Sequence, residues 1–129
     1  DAALDVQTLD RTAMELARAY HTVILASGRV DIITDGKRLV HVKNGNPQLS
    51  GITGTGCMLG ALTAAYLSVQ PDMDAAVTAC VVLGICGQLA ETDRGSGSFQ
   101  VNLMDKLSTV GKAEIERYMD REEIRNEEA

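Results

Sequence analysis

The sequence lacks the features by which several functional classes show themselves. No run of basic residues occurs and the net charge is −6, which argues against nucleic acid or anionic lipid as the main partner, although a local anion site is compatible with an acidic whole. Cysteine is scarce. Cys57, Cys80 and Cys86 are too few and too unevenly spaced for a disulfide scaffold, and neither Cys-x-x-Cys nor a Cys/His ligand set is present, so a reducing cytoplasm is the expected compartment. Long hydrophobic runs are missing too: the longest nearly apolar stretch, Ala75 to Gly87, is interrupted by Thr78 and is too short to span a bilayer. No membrane partner is expected, and no signal peptide or internal repeat is visible. A chain of 129 residues can bury one core but not two, so a single domain over 1–129 is expected.

What is present gathers around Ser50 to Leu62, SGITGTGCMLGAL. Gly51, Gly54 and Gly56 permit positive φ and close approach of a ligand to the backbone. A helix beginning near Gly56 or Cys57 points its unsatisfied N–H groups back into the turn, and its dipole adds about half a positive charge there. Phosphate is the natural occupant. A turn that merely caps a helix is the competing reading of Gly-Thr-Gly alone. The turn has neither the Lys of a Walker A loop nor the three-glycine spacing of a dinucleotide fingerprint.

Upstream, Leu9, Ala13, Leu16, Ala17 and Tyr20 recur at helical spacing and predict an amphipathic helix over Val6 to Tyr20. Val23 to Ala26 then reads as a strand covered on both faces, so that helix and strand form half of a parallel α/β unit. Ser27 and Gly28 close that strand, where ligands sit in open α/β sheets, although a turn hydroxyl bonded to its own backbone fits Ser27 equally well. Val30 to Thr34 and Leu39 to Val42 flank Asp35-Gly36-Lys37 and predict an antiparallel hairpin at the edge of the sheet. Alternation within it turns His41 to solvent, and neither His41 nor His21 is expected to act in catalysis. A loop over Asn44 to Pro47 leads to the central turn.

Downstream of the turn, Met58, Leu59, Leu62, Ala65, Tyr66 and Val69 mark a helix ending before Pro71, with Gly60, Ala61, Ala64 and Ala65 small enough to let it lie against the sheet. Asp72 is an N-cap candidate for an all-round apolar core or interface helix from Met73 to about Ala90. Within it Cys80 and Cys86 read as small core hydrophobes. The Gly/Ser turn TDRGSGS, Thr92 to Ser98, precedes another helix containing Phe99, Leu103 and Leu107. A charged, solvated terminal helix is expected over 112–129.

Ser27 to Gly36, Thr53 to Leu59 and the GSGSF of Gly95 to Phe99 resemble the signatures of the ribokinase-like small-molecule kinases. In particular they resemble the hydroxyethylthiazole kinase family, in which Cys stands where other branches carry a catalytic Asp. The match covers roughly Asp1 to Tyr118 and corresponds to the carboxyl-terminal half of such a kinase; Ser96 departs from it, replacing the family's Pro. The resemblance implies an α/β, ribokinase-like fold, here the carboxyl-terminal half of a three-layer sheet with flanking helices and an antiparallel edge hairpin. It implies transfer of the ATP γ-phosphoryl to the hydroxyl of 4-methyl-5-(2-hydroxyethyl)thiazole in thiamine biosynthesis or salvage. Cys57 would be the general base, Ser27, Thr55 and Gly56 would bind ATP, and Gly54 would lie against the thiazole. A thiol at a helix N-terminus is more readily ionised; a redox thiol and a plain packing residue are the other readings of Cys57. Mg2+ accompanies ATP, with its ligands expected in the amino-terminal half of the family, and trimers with active sites between subunits are implied. The alternatives are a non-catalytic nucleotide- or anion-binding module and a ribokinase-like kinase with another alcohol acceptor.

Overall fold

The computed structural model describes residues 5–124. Helix α1, Val6–Tyr20, starts where the Asp5 carboxylate accepts the Thr8 N–H at 2.7 Å, and it ends at His21 in the left-handed region. Its buried stripe is narrower than expected: Ala13 and Ala17 are covered, whereas Leu16 and Tyr20 are 43% and 73% exposed. Ala13 packs on the sheet together with the half-buried Leu9 and Met14.

That sheet has four strands, β1 (Ile24–Ala26), β2 (Asp31–Thr34), β3 (Leu39–Val42) and β4 (Arg121–Ile124), in the order β1-β2-β3-β4 with every neighbouring pair antiparallel. Three expectations are corrected here. β1 is half-buried rather than covered on both faces, and it pairs antiparallel with β2, Leu25 opposite Ile33. The short turn after Ala26 can close only a hairpin, since a parallel partner needs a crossover of a dozen or more residues. The β2-β3 hairpin lies inside the sheet, not at its edge, because β4 is laid on β3 with Val42 opposite Arg121. The expected terminal helix over 112–129 is only α5, Lys112–Tyr118, before the chain becomes β4; residues 125–129 lie outside the described residues.

Asn44 explains that last change. Its Nδ2 donates to the Tyr118 carbonyl, its Oδ1 accepts the Asp120 N–H, both at 2.7 Å, and the Lys43 N–H donates to the Asp120 carbonyl at 2.8 Å. The backbone just past α5 is thereby captured in extended form alongside β3. Arg38 adds a second tie, with guanidinium pairs to Glu123 of β4 at 2.9 and 3.0 Å and to Asp74 at 3.0 and 3.2 Å.

Alternation along the strands separates two apolar faces. Ile32 and Leu39 pack with Ala13 of α1, and Ile33, Val40 and Val42 pack against α3, Met73–Leu89. His41 falls on the α1 side. It is buried, with Nε2 2.7 Å from Asp10 Oδ1, rather than turned to solvent, because α1 covers the face that alternation alone leaves open. Helix α3 is capped by Asp72, whose carboxylate accepts the Asp74 N–H at 2.9 Å, and it is enclosed on all sides from Ala79 to Gly87. The expected three layers are therefore present: α1, the sheet, and α3 with its neighbours.

Beyond α3 lie α2 (Thr55–Leu67) and α4 (Ser96–Thr109), which bury Phe99 and Leu103 against Val82, Leu83 and Cys86. Helix α2 was expected to rest on the sheet through its small residues. It packs instead on α3 through Met58, Leu59, Leu62 and Tyr66, leaving Gly60, Ala61, Ala64 and Ala65 exposed. Cys80 and Cys86 are buried, as expected of small core hydrophobes. Among the described residues no helix is long and apolar enough to cross a membrane.

One close approach fixes α3 against the loop after β3. A Cβ added at Gly84 would stand 2.5 Å from Asn44 Cβ and 2.6 Å from its carbonyl carbon and oxygen. Backbone on one side and a packed helix on the other leave little to yield. Gly84→Ala is expected to lower unfolding free energy by about 1–3 kcal/mol, measured by chemical denaturation of the intact protein; an unchanged midpoint would mean the loop shifts freely.

Candidate functional site

The site is built on the first turn of α2. Asn46 prepares it: its side chain accepts the Gln48 N–H at 2.8 Å and starts a 3-10 turn, Pro47–Gly51, with proline in the first position. The chain then reverses at Gly54, which has φ +100° and ψ 0°, a conformation that suits glycine. α2 starts at Thr55, slightly earlier than the glycine pattern suggested. No side chain caps it, and the first amide to find a carbonyl is that of Met58, donating to Gly54 at 2.9 Å. The N–H groups of Thr55, Gly56 and Cys57 therefore have no partner among the described residues. They carry the positive end of the helix dipole.

A cleft of about 610 Å³ opens beside this turn. Thr55, Gly56 and Ser50 form one wall, and the β1-β2 hairpin turn, Ser27 to Arg29, stands with them around the same space. Leu49, Leu59, Cys80 and Leu83 give it an apolar floor, and Lys43 and Asn44 close another side. Asn44 is itself held down: besides the Tyr118 carbonyl, its Nδ2 donates to Gln88 Oε1 of α3 at 2.7 Å, and the Gly45 N–H donates to the same oxygen at 3.2 Å. Arg29 and Lys43 are exposed cations at the rim. Amides, two cations and an apolar floor in one cavity suit a ligand with both an anionic and an apolar part.

Asp31, the first residue of β2, also faces the cleft. Its Oδ1 accepts the Gly28 N–H at 3.0 Å, and Cys80 of α3 lines the same cleft. Burial raises the Asp31 carboxyl above the usual carboxylate value, the hydrogen bond from Gly28 working the other way. The Cys80 thiol is pushed far up by burial, with the Asp31 charge adding to it, and Cys86 is pushed up to about 11, again chiefly by burial. Both buried thiols are thus un-ionised at neutral pH.

The structure brings Ser27, Thr55 and Gly56 together at this cleft. Gly54 and Cys57 do not line it: Gly54 is the reversal point and Cys57 is exposed on the first turn of α2. His21 is a helix C-cap and His41 an α1 contact. Sequence reasoning assigned no role to Asp31 or Asn44, although both lie in stretches it had singled out. The signal for Asn44 was its place beside Gly45 at the end of a strand, and for Asp31 a carboxylate three residues after a Ser-Gly turn.

The model of the hydroxyethylthiazole kinase family matches residues 1–113. The chain belongs to that family. It is 40% identical over 116 residues to the hydroxyethylthiazole kinase of a Thermoanaerobacter species, covering 87% of this chain and 44% of that protein. Against the hydroxyethylthiazole kinase of Clavibacter sepedonicus it is 47% identical over 112 residues, 85% of this chain and 38% of the relative. The structure of a hydroxyethylthiazole kinase protein from Pyrococcus horikoshii OT3 superposes with a TM-score of 0.87 at 34% identity, over 92% of this chain and 47% of that one. The chain spans less than half the length of these relatives. The hydroxyethylthiazole kinase fold over this span is accordingly α/β, with the antiparallel sheet and flanking helices described above.

Asp31 yields a pH prediction. Its carboxyl is raised in the folded state, so the charged form disfavours folding at pH values above that raised pKa and the penalty fades as pH falls through it. Asp31→Asn, which keeps an oxygen for the Gly28 N–H, is expected to raise the thermal midpoint at pH 7, the gain shrinking toward pH 4. A gain independent of pH would place its origin elsewhere.

Proposed function

We propose that this chain forms the nucleotide-binding part of a kinase that transfers the γ-phosphoryl of ATP to the hydroxyl of 4-methyl-5-(2-hydroxyethyl)thiazole, in thiamine biosynthesis or salvage. The observation that carries the proposal is the set of unpaired amides at Thr55, Gly56 and Cys57 opening beside a cleft with an apolar floor and Ser27 across it. The phosphates of ATP lie against Thr55 and Gly56 with the Ser27 hydroxyl opposite, and the base rests toward Leu83 and Gly84. Family membership supports the acceptor, since the relatives are named for it. An intracellular, trimeric enzyme is the accompanying expectation.

Phosphoryl transfer depends mainly on alignment and on stabilising charge over the transferring oxygens. The substrate alcohol attacks the γ-phosphorus, its proton passes to Cys57, the bond to the β-γ bridging oxygen breaks, and ADP leaves. Gly54, lacking a side chain, lets the thiazole approach the backbone. In-line displacement puts nucleophile and leaving group on opposite sides of the phosphorus. Residues 56 and 57 are about 100° apart around a helix, so a base outside the nucleotide's cleft is in keeping with this geometry. Magnesium enters with ATP. Its ligands are expected in the amino-terminal half of the family; among the described residues no group of three or more His, Cys, Asp or Glu side chains converges.

A Cβ at Gly56 would meet nothing within 4 Å, so Gly56→Val adds bulk to the cleft without a clash in the fold. It is expected to raise the KM for ATP at least about tenfold with an unchanged thermal midpoint; unaltered turnover would remove the phosphates from this turn. Cys57→Asp, whose carboxylate is ionised at neutral pH, is expected to keep or increase kcat. A fall of more than about a hundredfold, the scale of a lost general base, would exclude Cys57 from that role.

A further inference from the structure

The Ser27–Arg29 turn is short, exposed and glycine-containing, and on the reading above one of its hydroxyls meets the nucleotide. Something must hold it. The β1-β2 ladder stops at Ala26 opposite Ile32, so the turn itself has no strand neighbour. Gly28 does not occupy its place for want of room, since a Cβ there would make only an ordinary contact, 3.5 Å from the Val30 carbonyl. The feature that restrains the turn is its one hydrogen bond to a side chain, from the Gly28 N–H to Asp31 Oδ1 at 3.0 Å.

Cys80, 1% exposed in the enclosed helix α3, lines the same cleft as Asp31. The restraint therefore runs from the first residue of β2 through the Asp31 carboxylate to the Gly28 amide, and so to Ser27 at the cleft. A charged acceptor makes a stronger and better-directed hydrogen bond to an amide than a neutral one. The cost of keeping that charge half-buried is the kind of local expense found where geometry serves a ligand.

We infer that Asp31 is a positioning residue for ATP: it fixes the Ser27–Arg29 turn in its ligand-binding form and does not itself touch the reacting atoms. This rests on the assignment of the cleft to the nucleotide. Losing the tie frees the turn to populate other conformations, which lowers apparent affinity by the fraction of time the competent one is lost. Chemistry in the bound complex is unaffected.

The test is steady-state kinetics of the intact protein, with MgATP varied at saturating hydroxyethylthiazole and the reverse, on Asp31→Ala, Asp31→Asn and Ser27→Ala, with a thermal melt of each. Asp31→Ala is expected to raise the KM for ATP about tenfold, the scale of one charge-assisted hydrogen bond, with kcat within about twofold and the KM for the thiazole unchanged. Asp31→Asn, which retains an oxygen for Gly28, recovers most of that loss. Should Asp31→Ala fail to fold, Asp31→Ser, too short to reach Gly28 but still polar, is read in its place. A KM for ATP unmoved by Asp31→Ala while Ser27→Ala raises it overturns the inference and leaves the nucleotide cleft standing, as does a fall in kcat at constant KM. No effect of either Asp31→Ala or Ser27→Ala on the KM for ATP would overturn the nucleotide assignment itself.

Discussion

The side chain of Asn44 is the contact on which the arrangement turns. It is buried at the end of β3 with both amide hydrogens donated and its oxygen accepting, to Gln88 of α3, the Tyr118 carbonyl and the Asp120 amide. One residue thus joins the sheet, the core helix and the bend into the last strand. Its backbone packs on Gly84, where an added Cβ would stand 2.6 Å from the Asn44 carbonyl carbon and oxygen. A buried amide with every group satisfied is specific as well as stable, because any other arrangement leaves donors or acceptors unpaired at a cost of about 1–3 kcal/mol each. It also walls the cleft, so the device that closes the fold shapes the site.

Much of this was legible in the residues. The Asp35-Gly36 hairpin, the Asp72 cap and the apolar helix behind it all follow from local rules, and the structure has them where those rules put them. The glycine-rich turn was legible as a helix start, because Gly51, Gly54 and Gly56 permit positive φ and an apolar helix follows at once. Ser27, Thr55 and Gly56 could be named together only through the family likeness, since no local rule brings residues so far apart in the chain to one cavity.

The misreadings share one cause. A period identifies which residues share a face but not what covers it. His41 lies on a face whose cover, α1, is supplied from elsewhere in the chain, and it gains Asp10 as partner. The small residues of α2 fitted a close packing, yet its larger residues won the contact with α3 because they remove more apolar surface from water. The charged tail fails as a single helix for a related reason: a long-range capture by Asn44 and Arg38 outweighs the helical preference of a few charged residues, each worth only a few tenths of a kcal/mol.

The acidity of the chain is no obstacle to an anionic ligand. At the turn the relevant charge is local: the first residues of α2, Thr55 and Gly56, line the cleft, with Arg29 and Lys43 at its rim. Within a few ångströms such local charges outweigh distant surface carboxylates, which water and salt screen over about 8–10 Å. The acidic group that lines the cleft, Asp31, accepts from the Gly28 amide, so its charge is engaged in a local hydrogen bond. The same carboxylate that would repel a phosphate if left free is the one that holds the turn facing it.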